Sequence, residues 1–347
     1  MKRKGYLYDN ICKIKNIESA YKEVCKNTRN ERRVFNMKQY KSLYISRVYS
    51  TLINKEYKVG SYNKFIIHEP KERLIVSQSI HDKIINHLIA RYILYPVILP
   101  CLIDTNVASR INMGTKAGLE WEQKFIRKCN IKYKKYYILK CDISKFFASI
   151  NHDILKEKIL KIIKDKDALK IIFDLIDSND KGLYIGLMAN QVLAIYYLND
   201  FDKFVKEKLK IKYYVRYQDD FLLFHESKEY LKYCFEQIKI YLKKEKLELN
   251  PKSRIYKNTD NFMFLGRNTK GKYIRYRNVK RKLKARKYLY ETEKIDLYSY
   301  YSSYNCYKQL LKRDNLITKT RNKRYFLRNI FWVTYNIFKF RQNIKSL

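Results

Sequence analysis

The sequence predicts a protein of the α/β class in its α+β form, an antiparallel sheet with helices packed on one side. Two stretches rich in β-branched and aromatic residues, 136–143 and 213–224, are typical of buried strands. Stretches with helical spacing of apolar residues alternate with them, at 152–176, 187–209 and 227–247. This order, with 46% hydrophobic residues in a chain of 347, predicts a packed core around one main sheet.

The outer parts of the chain follow from the same kind of pattern. Residues 1–55 predict basic helical segments, and residues 57–76 alternate apolar and polar side chains around a Glu-Pro break, which predicts a short hairpin. Residues 81–98 again have helical spacing. From residue 266 the chain holds 23 Lys and Arg against 4 Asp and Glu, interleaved with aromatic residues. This composition predicts a basic helical module, with a merely solvated basic face as the alternative.

The net charge of the chain is +41, from 75 Lys and Arg against 34 Asp and Glu. Such a surplus predicts a polyanionic partner, nucleic acid first and an anionic membrane surface second. The seven cysteines are scattered without a CxxC pair, so we expect neither a zinc site nor a disulfide framework. The N-terminus lacks the apolar run of a signal peptide, and no uninterrupted apolar stretch approaches the ~18 residues of a membrane span. We therefore expect a cytoplasmic protein with no membrane partner.

Two adjacent aspartates, Asp219 and Asp220, interrupt the apolar stretch VRYQDDFLLF at 215–224. A hairpin with a polar tip is one interpretation, but neighbouring carboxylates beside a buried strand repel each other and lose hydration. A divalent cation removes both costs. Asp142 ends the other strand, in LKCDISKFF, so two strands would deliver carboxylates to one end of a sheet, where they could hold two Mg²⁺ ions. Phe147, five residues beyond Asp142, could press against the sugar of a bound nucleotide.

These stretches belong to an ordered series of motifs that resembles a reverse transcriptase. The Asp142 stretch and YQDD resemble the palm, and the other motifs are EPKERLI (69–75) for the fingers, GLYIGLMANQVLAIYYLNDFDKFV (182–205) for the nucleotide and template pocket, LELNPKSRI (247–255) for pyrophosphate release and FMFLG (262–266) for the primer grip. The resemblance implies a right-hand polymerase. Its parts would be an N-terminal basic helical extension at 1–55, fingers at 56–135, a palm at 136–265 and a basic helical thumb at 266–347.

The resemblance also implies a role for each matching residue. The catalytic carboxylates Asp142, Asp219 and Asp220 would hold two Mg²⁺ ions, or Mn²⁺ in their place, with the backbone carbonyl of Ile143 as a further ligand. Lys252 would protonate pyrophosphate, with an ordinary solvated lysine as the alternative. The residues that bind the incoming nucleotide would be Lys71, Arg73, Phe147, Gly186 and Gln191, and the primer grip would be Phe264, Leu265 and Gly266. A core position is the alternative for Phe147.

Compact prokaryotic reverse transcriptases, those of diversity-generating retroelements, retrons, group II introns and phage defence, give the nearest resemblance. Asn190 stands where the diversity-generating pattern has serine, and Gln218 is an unusual third residue for the YxDD turn. Ile185 stands where many relatives carry a glutamine that braces the nucleotide, which implies low fidelity.

The resemblance therefore implies an RNA-directed DNA polymerase with an RNA template, a DNA or RNA primer, an associated structured non-coding RNA and an accessory protein. Its setting would be a diversity-generating retroelement or an anti-phage defence system. One alternative is a defence enzyme that makes untemplated or protein-primed DNA. Another is a catalytically inactive RNA-binding relative, against which the intact carboxylates argue.

Overall fold

The computed structural model describes residues 3–28, 30–60, 62–67, 73–270, 273–276, 279–297, 299–301 and 303–305. The chain divides into two compact units. The first comprises Met1–Asn261 with Lys270–Lys272, and the second comprises Phe262–Thr269 with Tyr273–Leu347. The boundaries expected after residues 55 and 135 fall inside the first unit, and they stay predictions.

The N-terminal region is helical, as the sequence predicts. Its helices are α1 (Tyr8–Cys12), α2 (Ile14–Asn27), α3 (Glu31–Gln39) and α4 (Lys41–Ile53). The buried face of α2 contains Ile17, Tyr21 and Val24, and α2 packs against α4 and against a later helix, α5 (Ile80–Leu88). The opposite side of α2 is joined to the same later region, since the Arg91 guanidinium donates to Glu23 at 3.1 Å. The N-terminal helices are therefore part of the core of the first unit.

The predicted hairpin is present as β1 (Asn63–Ile67) and β2 (Arg73–Ser77), which pair antiparallel. A continuous helical run follows, made of α5, a π-helical segment (Ile89–Leu94), α6 (Tyr95–Ile98) and a 3₁₀ turn (Leu99–Cys101). By length and composition this run, Ile80–Cys101, is apolar enough to cross a membrane, although the sequence pattern predicted no such span. The core helices of globular proteins pass the same test, and 61% of its most apolar window is buried inside the protein.

The main sheet has the strand order β4–β5–β3–β6, and each strand is antiparallel to its neighbours. Its strands are β3 (Tyr137–Asp142), β4 (Tyr213–Tyr217), β5 (Asp220–His225) and β6 (Arg254–Lys257). The stretch predicted at 213–224 supplies both β4 and β5, because it folds back on itself at residues 218–219. β3 and β5 are almost wholly buried, as their apolar and aromatic residues require.

Helices back this antiparallel sheet, which confirms the predicted fold class, but they cover both of its faces rather than one. They are α7 (Thr115–Lys132), α8 (Phe146–Ser149), α9 (His152–Leu160), α10 (Lys166–Ile176), α11 (Met188–Tyr197), α12 (Asn199–Lys203) with a π-helical segment (Phe204–Lys208), and α13 (Lys228–Lys244). Phe125 of α7 packs on Phe224, whereas Phe201 of α12 packs on Phe221. Residues 221 and 224 point to opposite faces because side chains alternate along a strand. The second helical layer, α7, was not expected from the sequence.

Two stretches predicted as single helices are interrupted. The first breaks between α9 and α10, where Asp165 accepts a hydrogen bond from Ala168 N at 3.1 Å and so caps a new helix. The other oxygen of Asp165 accepts from the backbone of Leu7 at 2.6 Å and Tyr8 at 3.0 Å, which ties the N-terminus to this break. The second stretch, 187–209, breaks between α11 and α12 and ends in the π-helical segment.

The second unit begins with strands, whereas the sequence predicted helix from residue 266 onward. β7 (Asn261–Phe264), β8 (Arg267–Lys270) and β9 (Tyr273–Tyr276) form a three-stranded sheet, and α14 (Val279–Glu291) follows. Alternation in KYIRYR (272–277) was the strand signal, and its dense positive charge obscured it. The predicted module beyond residue 305 lies outside the described residues.

Candidate active site

Three carboxylates meet at one end of the main sheet. Asp142, the last residue of β3, lies directly opposite Asp220, the first residue of β5. Asp219 precedes it in the hairpin turn, and its carbonyl accepts a hydrogen bond from Ile143 N at 3.2 Å. The sheet thus brings together the acids that the sequence singled out, and it places the backbone of Ile143 beside them.

The turn that carries Asp219 begins with a residue in an uncommon conformation. Gln218 has a φ of 53°, in the left-handed region that few residues other than glycine, asparagine and aspartate adopt. Its side chain donates to Ser109 Oγ at 2.8 Å, and its carbonyl accepts from the Arg216 guanidinium at 2.9 Å. These two bonds hold the turn through both side chain and backbone. The glutamine that departs from the usual YxDD pattern therefore has a structural role here.

Negative charge is concentrated in a buried place. Burial raises the pKa of Asp219, and the Asp142 carboxylate raises it further. Burial also raises the pKa of Asp220 to about 6, although Lys140 opposes this shift from 2.8 Å away. Burial acts to lower the pKa of Lys140, but Asp220 outweighs burial, so that pKa is raised. Asp220 thus has a cation inside the protein, whereas Asp142 and Asp219 repel each other.

Asp142 and Asp219 fit a divalent cation, because their repulsion is what such an ion would relieve. Within the described ranges, no three His, Cys, Asp or Glu side chains are grouped so that they could hold a metal ion by themselves. Mg²⁺ does not require such a group, since one or two carboxylates commonly bind it together with substrate phosphates. Asp142 Oδ2 also accepts from Asn250 Nδ2 at 3.0 Å, which orients this carboxylate.

The hairpin of β1 and β2 lies against the loop that contains Gly186. Val76 N donates to Ile185 O at 3.0 Å, and a Cβ at Gly186 would collide with the Val76 carbonyl. Only glycine fits this close approach, at a φ of 115°. Arg73 is exposed at the start of β2, and its charge opposes the rise in the Asp219 pKa. Lys71, the other predicted triphosphate ligand, lies outside the described residues.

Phe147 lies where the chain leaves β3 and enters α8. Lys145 makes the turn with a φ of 46°, and the Phe147 carbonyl accepts from Leu183 N at 2.7 Å. Gly182 permits this contact, because a Cβ there would collide with the Phe147 carbonyl. The Phe147 ring is half-buried and packs edge-on against Phe146, with the ring centroids 5.7 Å apart. The backbone is anchored and part of the ring stays accessible, so contact with a sugar stays a prediction.

Two further predicted residues are exposed near the site. Gln191, in the first turn of α11, lines a cavity of about 570 Å³. Lys252 lies in the turn before β6, where its backbone N–H donates to Asn250 Oδ1 at 3.0 Å. Asn250 therefore links this turn to Asp142, a connection that the sequence did not indicate.

The predicted primer-grip residues belong to the second unit. Phe264 is buried at the end of β7, while Leu265 and Gly266 form the turn to β8 with φ values of 46° and 78°. The structure thus places the three together in one turn, and their role stays a prediction.

A fully buried ion pair supports the turn from inside the protein, and it was missed at the sequence level. The side chains of Arg216 and Asp202 are 0% exposed, and Arg216 Nε and Nη2 donate to the two Asp202 oxygens at 2.7 and 2.6 Å. The Tyr214 hydroxyl also donates to Asp202, at 2.6 Å. The sequence signal was an arginine within an apolar strand, because a buried charge requires a partner. Since Arg216 also donates to a carbonyl of the turn, the pair connects the core to Asp219.

An antiparallel sheet that gathers acids at one end, with helices behind it, defines the palm of a right-hand polymerase. Telomerase from Candida tropicalis in complex with a TWJ fragment of telomeric RNA has a similar fold, with a TM-score of 0.50 and 14% identity over 67% of this chain and 48% of that chain. Apo telomerase from the same organism, truncated from its C-terminal domain, gives a TM-score of 0.48 and 15% identity over 66% of this chain and 59% of that chain. This chain thus spans about half to three fifths of those telomerases. Comparison with curated proteins found no match.

The family model described as reverse transcriptase (RNA-dependent DNA polymerase) matches residues 63–269, more than half of the chain. The chain therefore belongs to the reverse transcriptase family, and it is an RNA-directed DNA polymerase. The matched range starts at β1 and contains the whole main sheet with its three acids, whereas α1 to α4 precede it.

Proposed function

We propose that this enzyme copies a structured RNA into DNA by two-metal nucleotidyl transfer, with Asp142 and Asp219 as the principal ligands. The observation that carries the proposal is the register of β3 and β5, which sets Asp142 opposite Asp220 and beside the turn of Asp219. The raised pKa of Asp219, caused by burial and then by Asp142, supports a site that requires a cation. When bound, two Mg²⁺ or Mn²⁺ ions would activate the primer hydroxyl and neutralise charge on the triphosphate.

Other groups of the chain bind and orient the substrates in this proposal. Arg73 binds the triphosphate, and the Phe147 ring lies against the sugar of the incoming nucleotide. Lys252 donates a proton to the leaving pyrophosphate from the turn that Asn250 ties to Asp142. Asp220, held by Lys140, supports the site without being its main ligand.

The proposed partners are an RNA template, a DNA or RNA primer, a non-coding RNA and an accessory protein. The charge of +41 supports the nucleic acids, because phosphate contacts dominate such binding. One similar telomerase structure contains a telomeric RNA fragment, and the same class of partner is proposed here.

We further propose that the enzyme is of the compact prokaryotic kind and acts with low fidelity, in a diversity-generating retroelement or in anti-phage defence. Sequencing the DNA made in the native host separates these settings. Substituted copies of a genomic repeat would support the retroelement, and faithful copies of a non-coding RNA beside defence genes would support immunity. DNA without any genomic template, or DNA linked to a tyrosine, would favour untemplated or protein-primed synthesis instead.

Primer extension on an RNA template tests the catalytic proposal. Asp142→Ala and Asp219→Ala should each lower the rate by at least ~10²-fold, because a carboxylate that stabilises developing charge through the metal is lost. Asp174→Ala is the matched control, since Asp174 is exposed on α10, away from the acids, and should keep the wild-type rate. Melting temperatures establish that all three variants fold. A folded Asp142→Ala or Asp219→Ala enzyme with nearly wild-type activity would refute the assignment.

A further inference from the structure

The cavity of about 570 Å³ beside Gln191 extends from the active-site region to the N-terminal helices. At one end it is lined by Gly186 and by Ser109, the residue whose hydroxyl accepts from Gln218 in the turn of Asp219. At the other end it is lined by residues of α2 and by Arg33 of α3. Its volume is in the range of pockets that bind small ligands or single nucleotides.

One wall of the cavity presents a buried hydrogen-bond donor. Asn86 is 2% exposed, and its Oδ1 accepts from Ala189 N at 3.0 Å. Its Nδ2 is buried and has no hydrogen-bond partner among the residues that the structure describes. A buried amide donor left unpaired is costly, so an occupant of this cavity should carry an acceptor.

The same cavity brings two cations together. Arg33 is exposed and Lys83 is half-buried, and neither has an acidic partner in the described part of the chain. Burial lowers the pKa of Lys83, and the charge of Arg33 lowers it further. Glu23 also lines the cavity, but the Arg91 guanidinium already binds it. The arrangement is complementary to an anion such as a phosphate.

The position of the cavity decides which substrate strand it serves. Asp142, Asp219 and Phe147 do not line it, so the primer end and the sugar of the incoming nucleotide belong elsewhere. A strand that leaves the active site past Gly186 and Ser109 would enter the cavity directly. The template is the strand that continues, unpaired, beyond the point of synthesis.

We infer that this cavity holds unpaired template RNA just ahead of the active site, and that Arg33 and Lys83 bind its backbone phosphate. The N-terminal helices α2 and α3 thereby complete the template site, although they precede the range, 63–269, that matches the family. The inference deepens the proposed function, because it assumes an RNA template. It assigns this part of the chain a role in substrate binding.

Equilibrium binding without catalysis tests the inference. The probes are an RNA–DNA hybrid with a short 5′ RNA overhang and the same hybrid with blunt ends, with Ca²⁺ in place of Mg²⁺ and no nucleotide. Arg33→Gln and Lys83→Gln should each weaken binding of the overhang probe by ~3–10-fold and reduce its log–log salt slope by about 0.7, the value for one single-strand phosphate contact. Binding of the blunt probe should not change.

Arg32→Gln is the matched control, because Arg32 is the exposed neighbour on α3 and does not line the cavity. It should bind both probes as the wild type does. Equal effects of Arg32→Gln and Arg33→Gln, or equal weakening of both probes by Arg33→Gln, would overturn the inference. So would a wild-type enzyme indifferent to the overhang. A wild type that prefers the overhang but cannot extend a primer on RNA would instead contradict the proposed function alone.

Discussion

Removing one partner of the buried ion pair Arg216–Asp202 should destabilise the enzyme strongly. The two side chains are 0% exposed, so Asp202→Asn leaves a guanidinium buried without its counter-charge. Breaking a pair of this kind costs about 3–5 kcal/mol of unfolding free energy. At roughly 2–4 °C for each kcal/mol in a large domain, the melting temperature should fall by about 6–20 °C. Arg216→Met should cost a similar amount, because it leaves the carboxylate unpaired.

The double variant separates stability from catalysis. Arg216→Met combined with Asp202→Asn removes both charges, while the asparagine carbonyl still accepts from Tyr214, so most of the lost stability should return. The turn nevertheless loses the guanidinium that donates to the Gln218 carbonyl. A displacement of about 1 Å in a reacting group costs up to ~10²-fold in rate, so kcat should stay ~10–10²-fold below wild type. Binding of template and nucleotide should change much less than kcat.

Thermal unfolding and single-turnover primer extension, the latter well below the melting temperature of every variant, give the two quantities. Folded Asp202→Asn retains Arg216 and the bond to the turn, so its rate should exceed that of the double variant although it is less stable. A double variant that is stable and has the wild-type kcat would refute the idea that Arg216 positions the turn. A loss below about 1 kcal/mol in Asp202→Asn, the level of an exposed pair, would refute the energetic reasoning.

Two other predictions concern nucleotide choice and nucleic-acid affinity. In Phe147→Val, kcat/KM for ribonucleotides relative to deoxynucleotides should rise by ~10–10³-fold, because the ring no longer excludes the 2′-hydroxyl; an unchanged ratio would assign the ring to the core. If the basic segment from residue 266 binds phosphates, replacing the exposed Arg281 and Lys284 of α14 by Gln should lower the salt slope of hybrid binding by about 0.7–0.9 for each phosphate that is no longer bound. An unchanged slope would make α14 a solvated surface.

The meeting of the three acids was predictable because local patterns were sufficient to establish it. Apolar and aromatic runs predict β3, β4 and β5, and a polar turn inside one run predicts a hairpin. Once β3 pairs with β5, Asp142 can only lie at the end of the sheet where the turn holds Asp219. The order of motifs then adds the polymerase fold. None of these steps requires knowledge of contacts between distant parts of the chain.

The features that were missed depend on such distant contacts. The break before α10 follows from Asp165 binding the backbone of Leu7, and the second helical layer follows from where α7 docks. The partner of Arg216 is an aspartate on a helix whose periodicity indicated only an amphipathic segment. The cavity lined by α2 and α3 exists because these helices pack beside α5, which no local pattern specifies. Patterns of two to four residues do not encode these pairings.

Gln218 shows why the unusual third residue of the YxDD turn suits this chain. A small residue at this position could make the turn, but it could not reach Ser109, whereas the glutamine amide donates to that hydroxyl at 2.8 Å. Ser109 also lines the template cavity and accepts the Tyr95 hydroxyl at its carbonyl, at 2.9 Å. The turn that places Asp219 is therefore attached on one side to the buried pair through Arg216 and on the other side to the wall of the template cavity. Because the left-handed backbone of Gln218 stores strain, these attachments select one geometry for the metal-binding acid, and they refer that geometry to the strand being copied.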